Sequence, residues 1–522
     1  MRVLGADKLS DAGIEALADE HDVDVRTGLD KAALLAAIPS YDAVVIRSAT
    51  SIDADVVAAA ARLKVIARAG IGLDNVDVDA ATAKGIIVCN APQSNVISAA
   101  EHTVALLLAL ARRIPAADAS LRAGEWRRSA YEGIELHGKT LGVLGLGRVG
   151  LLVAQRCSAF GMRLLAYDPF VSAERAARIG VELATSVAEV CAQADVISVH
   201  LPKTAETVGI LGEPQLRAMK PSALVVNTAR GGIVDEDALH RALVEGWIGG
   251  AALDVFTSEP ITDSPLFGLD NVVVTPHLGA STAEAQDKAG AMVAEAVKLA
   301  LAGEFVPSAV NVQVATAVPE AVKPFMPLAE QLGRVLTALH TGQAGELVVE
   351  YHGKVAREDT QAVTLSALKG VLKGVVSEPV TFVNAPLQAE ERGLKVSTVA
   401  SEAFEDFVSL VRLRLGEAHV AGTLVGPKNR PRLVEVWGFA VDMELSDHML
   451  FFRYTDRPGI VGLMGNRLGE AGVNIATMQV GRAEQGGDAL IAMSIDSAAP
   501  PVVVEDIRER IGSPEARAID LR

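Results

Sequence analysis

Residues 140–150 restrict this chain more than any other stretch. They read Thr-Leu-Gly-Val-Leu-Gly-Leu-Gly-Arg-Val-Gly, an apolar strand running into G-x-G-x-x-G with Gly145, Gly147 and Gly150 at the glycine positions. A helical run follows. A second apolar strand over 163–168 then ends at Asp168, 18 residues past Gly150. Two strands with a crossover helix between them must lie parallel in one sheet, with helices covering its faces. The turn between strand and helix suits a dinucleotide. Its glycines let the backbone close tightly on a pyrophosphate, with Arg148 and Val149 inside the turn. The helix start offers free N–H groups, and Asp168 can accept from ribose hydroxyls.

The rest of the composition agrees with layered α/β architecture. A chain of 522 residues exceeds one core, so three or four domains are expected. Half of the residues are hydrophobic and only 4% aromatic, a bias toward the aliphatic residues of buried parallel strands. Lys and Arg number 48 against 65 Asp and Glu, a net charge of −17, with no basic block to suggest nucleic acid or a membrane surface. An anionic substrate therefore needs a local cationic pocket. Cys89, Cys157 and Cys191 are sparse, odd in number and without metal-like spacing, which argues for a reducing compartment. The start reads as a strand and not a signal peptide. The apolar run 104–110 is too short to span a bilayer. A soluble, cytoplasmic protein is expected.

Alternation of strand and helix patterns divides the chain. Residues 1–92 carry strands at 2–4, 42–47, 64–67 and 85–90, with helices starting near Asp11, Asp30 and Asp53, but no phosphate-binding turn. Strands at 140–145, 163–168, 195–200, 223–228, 250–255 and 271–275 make a second, doubly wound sheet. The expected fold is two Rossmann-like domains facing a cleft: a discontinuous substrate domain, 1–92 with 284–312, and a nucleotide domain, 93–283. Prolines near 319–327 open an α+β intervening domain over 313–445, and 446–522 carries a βαββαβ pattern.

Ligands of open α/β sheets sit beyond the carboxyl ends of the strands, so the chemistry is sought there. Three candidates follow successive strands: Arg230 in Asn-Thr-Ala-Arg-Gly-Gly, Glu259 in Asp-Val-Phe-Thr-Ser-Glu-Pro, and His277 in Thr-Pro-His-Leu-Gly-Ala-Ser. An imidazole titrates near neutrality, a carboxylate beside it fixes its tautomer, and a guanidinium holds a carboxylate bidentately. Singly they read as a turn histidine, a loop glutamate and a loop arginine. Asp254 ends a strand on the nicotinamide side. In the first layer, Arg47 and Ser48 end one strand, and Ile71 and Gly72 follow another. Their groups could hold a carboxylate and a second anion, with Asn95 assisting from the hinge; simple turn chemistry is the competing reading.

Together these motifs resemble the D-isomer-specific 2-hydroxyacid dehydrogenases over essentially the whole length. The carriers are Arg-Ala-Gly-Ile-Gly-Leu-Asp-Asn at 68–75, Asn-Ala-Pro-Gln-Ser-Asn at 90–95, the run 227–236 and Pro-His-Leu-Gly-Ala-Ser-Thr at 276–282. The resemblance implies catalytic Arg230, Glu259 and His277. It places NAD against Ile71, Arg148, Val149, Asp168, Leu201, Thr228, Ala229, Arg230, Asp254, His277, Leu278, Gly279 and Ala280, with NAD favoured over NADP by Asp168. It further implies oxidation of 3-phospho-D-glycerate, the entry to L-serine synthesis, and a homotetramer. A hydroxypyruvate or glyoxylate reductase is the alternative enzyme, and a dinucleotide-sensing corepressor the non-enzymatic one. The tail resembles an ACT domain through Tyr-Thr-Asp-Arg-Pro-Gly at 454–459 and Gly-Val-Asn-Ile-Ala at 472–476, implying an L-serine effector site at Tyr454, Asp456 and Asn474. Asp456 and Asn474 could equally be turn residues. Lys428, Arg430 and Arg432 are loose anion candidates in the intervening domain. Some family members carry a second arginine two residues after the one at Arg47. Here that position is Ala49, so the phosphate must be met otherwise, with Arg127, Arg128 or Lys139 of a neighbouring subunit as candidates.

Overall fold

The computed structural model describes residues 1–312, 318–341, 345–376, 380–403, 406–482, 484 and 486–521. Its first sheet holds β1 (Arg2–Gly5), β2 (Asp22–Val25), β3 (Ala43–Ile46), β4 (Val65–Arg68) and β5 (Ile87–Asn90), all parallel in the order β2-β1-β3-β4-β5. The side chains of β3 and β5 are buried throughout, as a sheet with helices on both faces requires. Asp30, Asp53 and Asp77 each cap a following helix by accepting from a backbone N–H three residues on. Strand β2 was not expected. Its sequence Asp-Val-Asp-Val is half polar because it lies at the sheet edge with one side to solvent.

The second sheet holds β6 (Thr140–Leu144), β7 (Arg163–Tyr167), β8 (Glu182–Leu183), β9 (Val196–Val199), β10 (Leu224–Asn227), β11 (Gly250–Leu253) and β12 (Val272–Val274). Its order, β12-β11-β10-β9-β6-β7-β8, reverses between β6 and β9, where a doubly wound sheet opens its ligand crevice. The two-residue edge strand β8 is the one piece beyond the six expected. Helix Ala283–Ala302 returns to the first layer, burying Val293, Val297 and Ala300 in the same core as Val3, Val45 and Ala67.

An antiparallel-rich sheet follows, with β13 (Glu346–Gly353), β14 (Lys395–Ser401), β15 (Ser409–Leu415), β16 (Ala418–Val425), β17 (Arg430–Val436) and β18 (Phe439–Glu444). Helices Phe325–Leu339 and Gln361–Lys373 share its core. The tail completes βαββαβ: β19 (His448–Thr455), helix Ile460–Glu470, β20 (Ile475–Arg482), β21 (Asp488–Ile495), helix Pro501–Ile511 and β22 (Glu515–Asp520). Both helices pack on one face of its sheet. From the other face Met449, Phe451, Leu490 and Ile519 enter the core of the preceding domain beside Leu433, Val436 and Met443. That domain in turn rests on the first layer: Thr381 Oγ1 donates to the Gly85 carbonyl at 3.1 Å, and Lys369 Nζ to the Gly303 carbonyl at 3.3 Å.

Candidate active site

The glycine turn after β6 is shaped by what each glycine must avoid. Gly145 has φ 93°, and a Cβ there would lie 2.8 Å from the His200 carbonyl and 3.1 Å from Leu201 Cδ2. A Cβ on Gly150 would strike the Gly145 carbonyl, so helix Arg148–Ser158 seats directly on the strand. Gly147 faces open space, leaving its backbone free to be approached. Asp168 is held by two amides, its Oδ2 accepting from Leu146 N at 2.8 Å and its Oδ1 from Phe170 N at 2.9 Å. This cradle, with an anchored carboxylate beyond it, fits a dinucleotide. The neighbouring loop is equally fixed. Thr228 Oγ1 shares a 2.6 Å hydrogen bond with Thr103 Oγ1, Ala229 N donates to Asn227 Oδ1 at 3.0 Å, and Asn227 Nδ2 donates to the Arg230 carbonyl at 3.0 Å.

Two strands further along the sheet stand His277 and Glu259. His277 Nδ1 lies 2.6 Å from Glu259 Oε2, whose other oxygen accepts from Phe256 N at 2.9 Å. A carboxylate only accepts, so Nδ1 carries the proton and Nε2 is left for the substrate. Burial pushes the Glu259 carboxyl up. The His277 hydrogen bond and the Phe256 amide outweigh it and hold the group below its ordinary value. His277 itself sits in the left-handed region at φ 55°, uncommon for a residue with a side chain. The enclosed carboxylate of Asp254 holds it there. Oδ1 accepts from Leu278 N at 2.7 Å and Thr275 Oγ1 at 2.6 Å, Oδ2 from Gly279 N at 2.9 Å, and the Asp254 carbonyl from His277 N at 2.9 Å. His102 Nε2 adds a contact to Oδ1 at 3.1 Å. Burial raises this carboxyl too, and His102, Thr275 and the two amides more than offset it.

Across the cleft lies the first layer. Arg47 N donates to Asp7 Oδ2 at 2.5 Å, Thr50 Oγ1 to Asp7 Oδ1 at 2.7 Å, and Asn75 Nδ2 to the Arg47 carbonyl at 2.7 Å, which fixes the turn carrying exposed Ser48. Asn90 Nδ2 holds the Ile71 carbonyl at 2.6 Å. The N–H groups of Ile71 and Gly72 donate to nothing among the described residues. Arg230 spans the cleft, its Nε 3.4 Å from Asp74 Oδ2 and its guanidinium against Gly72, where a Cβ would collide with it. Asn95 begins helix Val96–Ala111, and its buried Oδ1 has no partner among the described residues. The structure thus brings Arg230, Ile71 and Gly72 together and sets the His277–Glu259 pair on the same sheet edge as Arg230.

Residue-type reasoning passed over several supports. His102 reads as a core histidine in sequence, yet bonds Asp254 and Thr275 across 152 and 173 positions. Asp7, Asp74 and Asn75 gain roles only through the topology. Of the other candidates, Lys139 precedes β6, at the amino end of the sheet and away from this cleft, while Arg127 pairs with Glu125 on an exposed loop beside exposed Arg128. Arg432 is committed to Asp442 at 2.7 Å and also faces Glu444; Lys428 and Arg430 are exposed. No group of metal-ligating side chains occurs among the described residues, and no helix there is long and apolar enough to cross a membrane.

In the tail, Tyr454 is buried in the core between sheet and helices, beside Asp456, which pairs with Arg482 at 3.3 Å. Asn474 Nδ2 donates to Asp496 Oδ2 at 2.7 Å. The register puts these at opposite ends of the sheet. Thr455 pairs with Asp488 and Ile475 with Ile495, so about 24 Å of β21 separates Asp456 from Asn474. Within one chain Asp456 and Asn474 therefore do not share a pocket.

Known proteins share this architecture. Residues 104–279 match the D-isomer specific 2-hydroxyacid dehydrogenase NAD binding domain, 321–437 the D-3-phosphoglycerate dehydrogenase intervening domain, and 448–512 the ACT domain. The D-3-phosphoglycerate dehydrogenase of Mycobacterium tuberculosis is 49% identical over 99% of both chains, and that of Methanocaldococcus jannaschii 43% identical over 98% of both. Among solved structures, a protein from Thermus thermophilus superposes with TM-score 0.56 at 36% identity, covering 59% of this chain and 100% of its own. The D-lactate dehydrogenase of Aquifex aeolicus, complexed with NAD and lactic acid, reaches 0.53 at 29% identity over 58% of this chain and 96% of its own. The NAD binding, intervening and ACT domain matches stand beside relatives alike along nearly the full length, and the chain belongs to the D-3-phosphoglycerate dehydrogenase family of D-isomer-specific 2-hydroxyacid dehydrogenases.

Proposed function

We propose that this chain oxidises 3-phospho-D-glycerate at C2 to 3-phosphooxypyruvate, the first step toward L-serine. The observation that carries this reading is the 2.6 Å His277–Glu259 contact, set on the same sheet edge as Arg230. Bound NAD supplies the hydride acceptor. His277 Nε2 takes the C2 hydroxyl proton, and Glu259 stabilises the imidazolium that results. Arg230 and the free N–H groups of Ile71 and Gly72 orient the substrate carboxylate, and Arg230 polarises the forming carbonyl. Asn95 offers its unpartnered oxygen, and Arg47 with Ser48 meets the far end of the substrate. Asp254 works through the turn it holds and keeps His277, Leu278, Gly279 and Ala280 in place.

The test is NAD reduction followed with 3-phospho-D-glycerate and with D-glycerate. A clear preference for the phosphorylated acid is expected; equal rates favour a hydroxypyruvate/glyoxylate-type enzyme, and no turnover with any 2-hydroxy acid favours a dinucleotide-sensing role.

L-Serine is the proposed effector, held between two copies by Asp456 of one and Asn474 of the other, with buried Tyr454 shaping the first pocket. This arrangement accords with assembly into the homotetramer. Titrating activity with L-serine tests it: Asn474→Ala is expected to abolish inhibition, and unchanged inhibition removes the site.

A further inference from the structure

The least compensated charge at the cleft belongs to a residue given no role so far. Arg68 is the last residue of β4, between Ile46 of β3 and Asn90 of β5, at the carboxyl edge where Arg47 also stands. Its side chain is largely buried, and its buried Nε has no hydrogen-bond partner among the described residues. The guanidinium lies against the Gly70–Gly72 turn: a Cβ on Gly70 would sit 3.0 Å from Arg68 Nη1. Arg230 presses on the same turn at Gly72.

The charged groups around Arg68 do not neutralise it. Burial first, and then the nearby positive charges of Arg230 and Arg47, weaken its hold on its proton, while Asp74 and Asp7 oppose this. Both acids are otherwise engaged. Asp74 is exposed and pairs with Arg230, and Asp7 accepts from Arg47 N, Thr50 N and Thr50 Oγ1. A buried cation without a paired anion is unfavourable unless a ligand completes it. Arg230 already serves the carboxylate end. A phosphate group carries close to two negative charges, more than Arg47 alone matches, and Ala49 supplies none.

We infer that Arg68 is a substrate-binding residue, the second cation beside Arg47 for the phosphate of a small phosphorylated 2-hydroxy acid. The inference deepens the proposed function and rests on it. It makes Arg68 a determinant of preference for phosphorylated over unphosphorylated substrate. The strain of an unmatched arginine in the ligand-free cleft is released when the phosphate arrives.

The experiment compares wild type, Arg68→Gln and Arg68→Lys in the full-length enzyme. For each, kcat and KM are measured with 3-phospho-D-glycerate and with D-glycerate, competition by inorganic phosphate is titrated, and NAD binding is followed by fluorescence. Arg68→Gln is expected to lose about 10- to 100-fold in kcat/KM on the phosphorylated acid, through KM, as for a lost charge-assisted hydrogen bond. Its D-glycerate kinetics and NAD affinity should stay within a factor of about three, and phosphate competition should weaken. Arg68→Lys should recover part of the loss by restoring charge without the planar fork. Equal losses on both substrates, or an unchanged preference, would overturn the inference. If Arg68→Gln fails to fold, the preference ratio of Arg68→Lys decides. Failure of the underlying reading looks different, because wild type itself would then show no preference for the phosphorylated acid.

Discussion

The two sides of the cleft are finished to different degrees. On the nucleotide side, the groups that hold His277 are paired: Glu259 takes the imidazole Nδ1 and the Phe256 amide, and Asp254 takes two amides, a hydroxyl and His102. On the substrate side, Arg68 Nε, Asn95 Oδ1 and the Ile71–Gly72 amides have no partner among the described residues. The first arrangement is preorganised, so the proton transfer proposed for it needs no rearrangement at the moment of reaction. The second is a set of donors and one acceptor, the Asn95 oxygen, whose partners would arrive with the substrate. On the proposed reading proton transfer belongs to the nucleotide layer and, Arg230 apart, substrate recognition to the first layer, so substitutions on each should read out in different kinetic constants.

The largest test is His277→Ala. Loss of the acid/base is expected to lower kcat by about 10²–10⁴ with little change in KM for the phosphorylated acid. Near-normal turnover in a folded variant would break the assignment. The matching substitution across the cleft is Arg47→Gln. It should raise KM for 3-phospho-D-glycerate about 10- to 100-fold and leave kcat nearly intact, because it removes binding shared by ground and transition states. A variant that lost kcat with KM unchanged would show that recognition and chemistry are not divided between the layers.

Stability sharpens the contrast further, since the two sides should respond with opposite signs. Asp254→Asn replaces a carboxylate that accepts four hydrogen bonds from the turn and His102 with an amide that brings two donors of its own. The Leu278 N–H or the buried Gly279 N–H would be left facing a donor, so a loss of about 1–3 kcal/mol is expected. Arg68→Gln removes a buried, uncompensated charge and should leave the ligand-free enzyme as stable or more stable, by up to about 1 kcal/mol. Thermal unfolding without ligand compares them, and a shift in the same direction for both would undo the distinction.

What was legible in the sequence follows the same line. Arg230, Glu259 and His277 could be found because parallel strands announce themselves as apolar runs and ligands collect at their carboxyl ends. The glycine turn was readable because each glycine answers a local steric demand, as Gly145 and Gly150 do. His102 was not readable, since its partner lies 152 positions away. Arg68 was visible as part of a motif, but its meaning depends on which acids are already occupied, a fact of three dimensions. The serine candidates were recognisable by type, whereas their placement at opposite ends of β21 came only with strand register.

The smallest expected effect concerns a third polar group, beside the cofactor turn. His200 follows β9, its Nε2 is 2.7 Å from Ser198 Oγ, and burial lowers its pKa from 6.5 to about 4. A histidine depressed in the fold is protonated more readily when unfolded, so the unfolded state binds more protons below the unfolded value. Stability is accordingly undiminished above about pH 6.5 and falls as pH drops from there toward 4. The full depression corresponds to about 3 kcal/mol, of which roughly 1 kcal/mol is felt between about pH 7 and 5.5. His200→Asn, which keeps a hydrogen bond to Ser198 within reach but does not titrate, should flatten that part of the profile of unfolding free energy against pH. If the slope persisted in His200→Asn, the buried neutral histidine at the switch point would not be its source.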